Sequence, residues 1–250
     1  MRAKSIFMKK LGAIALAAGV VFGALSVNAQ PVSAATGFQV VDKKYEKTYK
    51  QDNGNVYFEA KGVFPEIKSN TKAAKKINQE LKKAKTEWIG QSKKMASDAN
   101  TPLQPSMNAS DRISYEVTSN DGKYFSVLMS GYDYQGGAHG MPYRIPMTFN
   151  AKTGERLTAA KLFGTTKAKL NTKVRNLYLE RYDKEGVNAG FYGDDAKPGK
   201  SAREILEGYL AKMNFNNAFY VKDGQVVFYA NPYDVGPYAA GFIEVSAPVK

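Results

Sequence analysis

Ile113-Ser114-Tyr115-Glu116-Val117-Thr118-Ser119-Asn120-Asp121-Gly122-Lys123-Tyr124-Phe125-Ser126-Val127-Leu128-Met129 decides the fold of this 250-residue chain. Apolar Ile113, Tyr115 and Val117 alternate with polar neighbours, and Phe125, Val127 and Met129 recur at the same spacing beyond the turn. A period of two places each set on one face of a strand. Asn120-Asp121-Gly122 tolerates the positive φ of a tight hairpin. The same device recurs upstream, where Asn53-Gly54 separates the Tyr45–Tyr49 run from Val56-Tyr57-Phe58. It recurs downstream, where Asp223-Gly224 separates Phe219-Tyr220-Val221 from Val226-Val227-Phe228-Tyr229.

Helical periods lie between the hairpins. Ile77, Leu81, Ala84 and Trp88 follow i, i+4, i+7, i+11 spacing and fall on one face of a helix spanning about Thr71 to Met95. Its other face carries Lys75, Lys76, Lys82, Lys83, Lys85, Lys93 and Lys94. Leu170, Val174, Leu177 and Tyr178 mark a second helix. Ser201-Ala202-Arg203-Glu204 has the form of a capping box and opens a short helix through Ile205, Leu206, Tyr209 and Leu210. The expected class is α+β: an antiparallel sheet built from sequential hairpins and packed with two to three helices.

The N-terminus bears on location. Arg2, Lys4, Lys9 and Lys10 precede an apolar run from Leu11 to Val27, followed by small residues with cleavage patterns ending at Ala29, Ala34 or Ala35. That is the layout of a secretory signal peptide, and the run is short for a membrane span. Residues 1–35 are expected to be removed, leaving no membrane span, residues 36–98 to form an N-terminal α+β subdomain, and residues 111–250 a C-terminal one. Pro102 and Pro105 mark the stretch between them as a linker. Loss of the leader's four basic residues lowers the formal charge from +13 to +9. With no cysteine, disulfides and thiolate chemistry are excluded, and stability must come from an apolar core.

Chemistry centres on Tyr134-Gln135-Gly136-Gly137-Ala138-His139-Gly140, which contains the single histidine. His139 has three readings: a lock that bonds a nearby carbonyl, part of a binding surface, or a general base partnered by Ser130 and Asp133. No Gly-x-Ser-x-Gly elbow supports the last. One histidine and no cysteine leave no ordinary zinc set, and Asp194-Asp195 lacks the ligand spacing of a calcium loop, so neither metal nor cofactor is expected. Asn108-Ala109-Ser110 is a bare sequon pattern. The lysine face is either a solvated surface or a grip for an anionic polymer; export and the lack of an RNA- or DNA-binding motif argue against nucleic acid.

A second distinctive run is Phe228-Tyr229-Ala230-Asn231-Pro232-Tyr233-Asp234-Val235-Gly236-Pro237-Tyr238-Ala239-Ala240-Gly241. Its prolines make it a loop, in which Tyr233 and Tyr238 either stack on a ligand or cap the core. Together the two runs resemble the extracytoplasmic domain of RsiV-type anti-sigma factors and the non-catalytic N-terminal region of the peptidoglycan deacetylase PdaC, over about residues 38–250. The resemblance implies a binding module of the bacterial envelope, secreted or periplasmic, that engages peptidoglycan-related glycan or another wall polymer. Lysozyme is the alternative partner, although a chain near +9 repels a basic enzyme at long range. Neither relative's full activity is implied: ten residues precede Leu11, where an anti-sigma factor needs a sigma-binding region, and a deacetylase needs a pair of metal-binding histidines. The residues expected to bind are Tyr134, Gly136, Gly137, His139, Tyr233, Asp234 and Tyr238, with a hydrolase using His139 as the further alternative.

Overall fold

The computed structural model describes residues 37–99, 109–194 and 197–249. The expected leader and its cleavage sites, Pro102, Pro105, Asn108 and Asp195 lie outside the described residues. Five strands form the first sheet, β1 (Val40–Lys50), β2 (Val56–Ile67), β3 (Ala109–Asn120), β4 (Tyr124–Tyr134) and β5 (Met141–Asn150), in that spatial order. Helix α1 (Lys72–Ala99) lies between β2 and β3 in the chain. Three further helices follow, α2 (Ala159–Leu162), α3 (Lys167–Glu185) and α4 (Ala202–Leu210). The chain ends in a second sheet of β6 (Phe219–Lys222), β7 (Gln225–Ala230) and β8 (Ile243–Pro248).

The α+β class and all three glycine-turn hairpins are present. Asp223 and Gly224 both take positive φ, 48° and 71°, as the two-residue turn that matches strand twist requires. Two features depart from a single antiparallel sheet. There are two sheets, and β2 pairs with β3 in parallel, from Phe58 opposite Ala109 to Gly62 opposite Ile113. A parallel neighbour needs a crossover, and α1 supplies it by carrying the chain back to the same end of the sheet. The division expected between residues 98 and 111 therefore falls inside one sheet, and the change to the second comes after Asn150.

Each face of β4 does separate work. Phe125, Val127 and Met129 point into the core beneath α1, with Phe58, Phe64, Met147 and Phe149. Helix α1 starts where the Thr71 hydroxyl accepts the Ala74 N–H (3.2 Å) and lays Ala74, Ile77, Leu81, Ala84, Trp88 and Ala96 against those side chains. Each large side chain so buried contributes roughly 1.5–3 kcal/mol. The alternate β4 residues, Ser126 and Leu128, are buried on the opposite face. Leu128 packs with Tyr220 and Tyr229, and the Ser126 hydroxyl accepts the Val221 N–H at 3.0 Å and bonds Thr148 at 2.9 Å. The second sheet closes its own core with Leu170, Val174, Tyr178, Leu206 and Phe215 from the helices and the loop after α4.

A charged joint completes the contact. Arg144 pairs with Glu244 at 2.5 Å, and its guanidinium lies 4.0 Å from the Phe242 ring centroid. Tyr220 donates to the same carboxylate at 2.9 Å, while Arg181 donates to the Glu244 carbonyl at 2.7 Å. The pair is mostly shielded, with Arg144 only 17% exposed, so water screens it weakly.

Beneath α1 lies an unusual carboxylate. Asp111 is 1% exposed and accepts hydrogen bonds from the Ser92 hydroxyl (2.5 Å) and the Tyr143 hydroxyl (2.6 Å). Tyr143 in turn accepts from the Trp88 indole N–H (2.6 Å). Burial raises the Asp111 carboxyl above its ordinary 3.8, more than these donors lower it. The folded state thus holds this proton to higher pH than the unfolded chain, so stability from this group is lost as pH rises through that window. Relative to Asp111→Asn, the wild type is expected to lose stability in urea unfolding as pH rises above the ordinary carboxyl range of about 4; a relative gain rejects this reading.

Candidate functional site

The β4–β5 connection, residues 135–140, turns through Gly136 and Gly137 at φ of 98° and 94°. Tyr134 closes the turn by donating to the Gly137 carbonyl at 3.0 Å. Gly140 is buried, and a Cβ on it would stand 2.1 Å from the Asp133 carbonyl oxygen, so a side chain there is excluded. Its N–H donates to the Tyr132 hydroxyl at 2.8 Å. These contacts hold the exposed His139 in place. Its Nδ1 lies 3.0 Å from the Gly140 carbonyl, an obligate acceptor, so Nδ1 carries the proton. Nε2 is then free to accept from the Tyr233 hydroxyl at 3.3 Å.

The partner loop follows β7. Tyr238 stacks on the imidazole, with centroids 3.8 Å apart and planes at 23°, and its hydroxyl donates to Gly140 O at 2.9 Å. Burial and the neighbouring Tyr132 raise the Tyr238 pKa above 10, keeping that hydroxyl a donor. Tyr233 is 47% exposed yet sits at φ 71°, a region that costs a non-glycine residue of order 1 kcal/mol. Asp234 bonds the Asn231 N–H (2.7 Å) and side-chain amide (3.0 Å), and the Tyr233 N–H reaches Gly236 O (3.1 Å). The loop around Tyr233 therefore imposes the strain and presents an aromatic ring outward.

Beside that ring opens a cleft of about 410 Å³, lined by Tyr209, Lys212, Asn214, Asn231, Tyr233 and Asp234, with Tyr229 and Met213 among its walls. Burial pushes Tyr229 up to about 12 and raises Tyr192, whose ring lies 5.5 Å from that of Tyr209 at a tilt of 38°, so both remain phenols at neutral pH. The chemistry is that of a ligand groove: aromatic faces, amides, one carboxylate and one ammonium around a concave space.

Of the seven residues singled out in the sequence, the structure brings His139, Tyr233 and Tyr238 into one cluster. Asp234 lines the cleft, while Tyr134, Gly136 and Gly137 shape the turn. His139 bonds Gly140 and Tyr233, and the Asp133 carboxylate meets Gln135 instead, at 3.4 Å. Tyr209 escaped sequence reading because it sits among the apolar positions of α4. Asn231 lay in plain view within the C-terminal run, but its role depends on the turn made with Asp234.

Residues 39–142 match the family model described as Deacetylase PdaC, and residues 164–250 match that of DUF3298, a protein family of unknown function. The chain thus carries a stretch similar to the PdaC model followed by one similar to the DUF3298 model. His139 belongs to the first and Tyr233 and Tyr238 to the second, so the cluster is assembled from both. The fold is similar to that of a DUF3298 family member from Bacteroides fragilis, at TM-score 0.60 and 16% identity, covering 85% of this chain and 91% of that one. It is also similar to a DUF3298 family protein from Pseudomonas aeruginosa, at TM-score 0.57 and 13% identity, covering 84% and 90%. No curated protein matches the chain.

The strained tyrosine gives a direct test. Tyr233→Gly and Tyr233→Ala both delete the ring, but only glycine relaxes at φ 71°. The glycine variant is expected to be more stable than the alanine variant by about 1 kcal/mol in denaturant unfolding. Alanine as the more stable of the two contradicts the strain.

Proposed function

We propose that this protein is an exported, non-catalytic binding module of the bacterial cell envelope, which holds a peptidoglycan-related glycan in the cleft beside Tyr233. The observation that carries the reading is Tyr233 itself: an exposed ring held in a disfavoured backbone conformation at the mouth of a polar, tyrosine-lined cleft. Strain of this kind collects at ligand clamps. A sugar ring offers a C–H face that packs on tyrosine and a rim of hydroxyl and acetamido groups that need partners. Asn214, Asn231 and Asp234 supply those partners, and Lys212 suits the carboxylate of a lactyl or peptide substituent. The basic, apolar and small-residue order of the N-terminus supports export. Among the described residues no helix is long and apolar enough to cross a membrane.

Calorimetry with soluble muropeptides tests the reading. Tyr209→Ala and Tyr233→Gly are each expected to weaken binding about fivefold or more, since stacking on one ring contributes roughly 1–3 kcal/mol in comparable aromatic platforms. Wild-type protein that neither binds muropeptide nor sediments with purified sacculi contradicts it. Protection of sacculi from lysozyme without such binding would transfer the site to the enzyme partner.

A further inference from the structure

The outward face of α1 carries a second feature, distant in chemistry from the tyrosine cleft. Lys72, Lys75, Lys76, Lys82, Lys83, Lys93 and Lys94 are all exposed. At about 100° per residue they fall in a sector roughly 120° wide, opposite the buried Ile77–Leu81–Trp88 seam. A rise of about 1.5 Å per residue makes the strip about 33 Å long. Its midline holds Gln79, Thr86, Gly90 and Ser97, which are small or neutral. The helix's carboxylates, Glu80, Glu87 and Asp98, lie along one border; Glu80 faces Arg156 (3.8 Å) and Glu87 faces Lys83 (4.0 Å). Lys85 leaves the strip to cover the Phe64 ring at 5.5 Å.

An ordinary solvated face does not need this arrangement. Lys72 and Lys76 form a like-charge i, i+4 pair, which destabilises a helix. The first turn of α1 has no acidic residue, so Lys72 and Lys75 stand at the positive end of the helix dipole. Local rules broken together in this way mark a functional surface.

We propose that the strip binds a linear polyol-phosphate polymer lying along the α1 axis, independently of the glycan cleft. Two rows of ammonium groups suit a chain of phosphodiesters better than a point ligand, and the attraction is worth most along a charged rod. The midline offers no apolar side chain to enter a lipid surface. It offers no aromatic platform for nucleic-acid bases either.

The test measures affinity of the full chain for poly(glycerol phosphate) between about 50 and 200 mM salt. The triple variant Lys75→Gln, Lys82→Gln, Lys93→Gln is compared with Lys152→Gln, Lys169→Gln, Lys184→Gln, which removes the same charge elsewhere. The strip triple is expected to weaken binding at least about tenfold and to flatten the log–log salt slope by about 2, as three lost phosphate contacts require. The second triple changes affinity by less than about threefold, because only screened long-range charge is lost. Tyr233→Gly leaves polymer binding unchanged. Glutamine is a good helix former, so both triples stay folded, as thermal melts verify. Equal losses from the two triples, absent binding, or tighter binding to anionic vesicles or single-stranded DNA each overturn the proposal.

Discussion

The seating of β6 on the outer face of β4 is the contact on which the rest of the structure depends. A buried N–H must find an acceptor, and the Val221 N–H finds the hydroxyl of Ser126, the one polar residue in the buried stretch of β4 from Tyr124 to Met129. Leaving such a donor unpaired costs about 1–3 kcal/mol. The Arg144–Glu244 pair, covered by Phe242 and Tyr229, fixes the same joint a few residues away. Once the second sheet is seated there, the loop after β7 lands on the β4–β5 connection, and Tyr238 comes to rest on His139. The site is a consequence of that joint rather than a property of either loop alone.

Local signals in the sequence carried much of the architecture. Three glycine turns located three hairpins, the Ser201–Glu204 box opened α4, and the apolar spacing from Ile77 to Trp88 located the buried face of α1. What escaped was nonlocal or masked by proline. Strand β5 contains Pro142 and Pro146, which interrupt any local strand pattern; it lies at the sheet edge, where a missing N–H is tolerated. The parallel pairing of β2 with β3 joins residues on opposite sides of a long helix, and no local pattern announces it. The burial of Ser126 has no local sign either, because the strand that covers its face of β4 lies far along the chain.

The site shows the same division. The two runs that named the relatives hold His139, Tyr233 and Tyr238, and their meeting depends on a joint about a hundred residues long in sequence. The cleft also needs Tyr209 and Lys212 from α4 and the residues after it, where the pattern indicated only an amphipathic helix. His139 changes meaning accordingly. Seen alone it is a candidate base; seen in place, Nδ1 bonds Gly140 within its own turn, Nε2 meets the Tyr233 hydroxyl of the other loop, and the exposed, strained group is Tyr233.

The central claim, that the Tyr233 loop, seated on His139 across the joint, presents a ligand cleft, is tested most directly by residue-resolved NMR of the isotopically labelled protein during titration with a soluble muropeptide. The account predicts saturable shift changes confined to Tyr209, Lys212, Asn231, Tyr233, Asp234 and, across the joint, His139 and Gly140. Shifts that miss the cleft residues, or that scatter over the surface without saturation, contradict it.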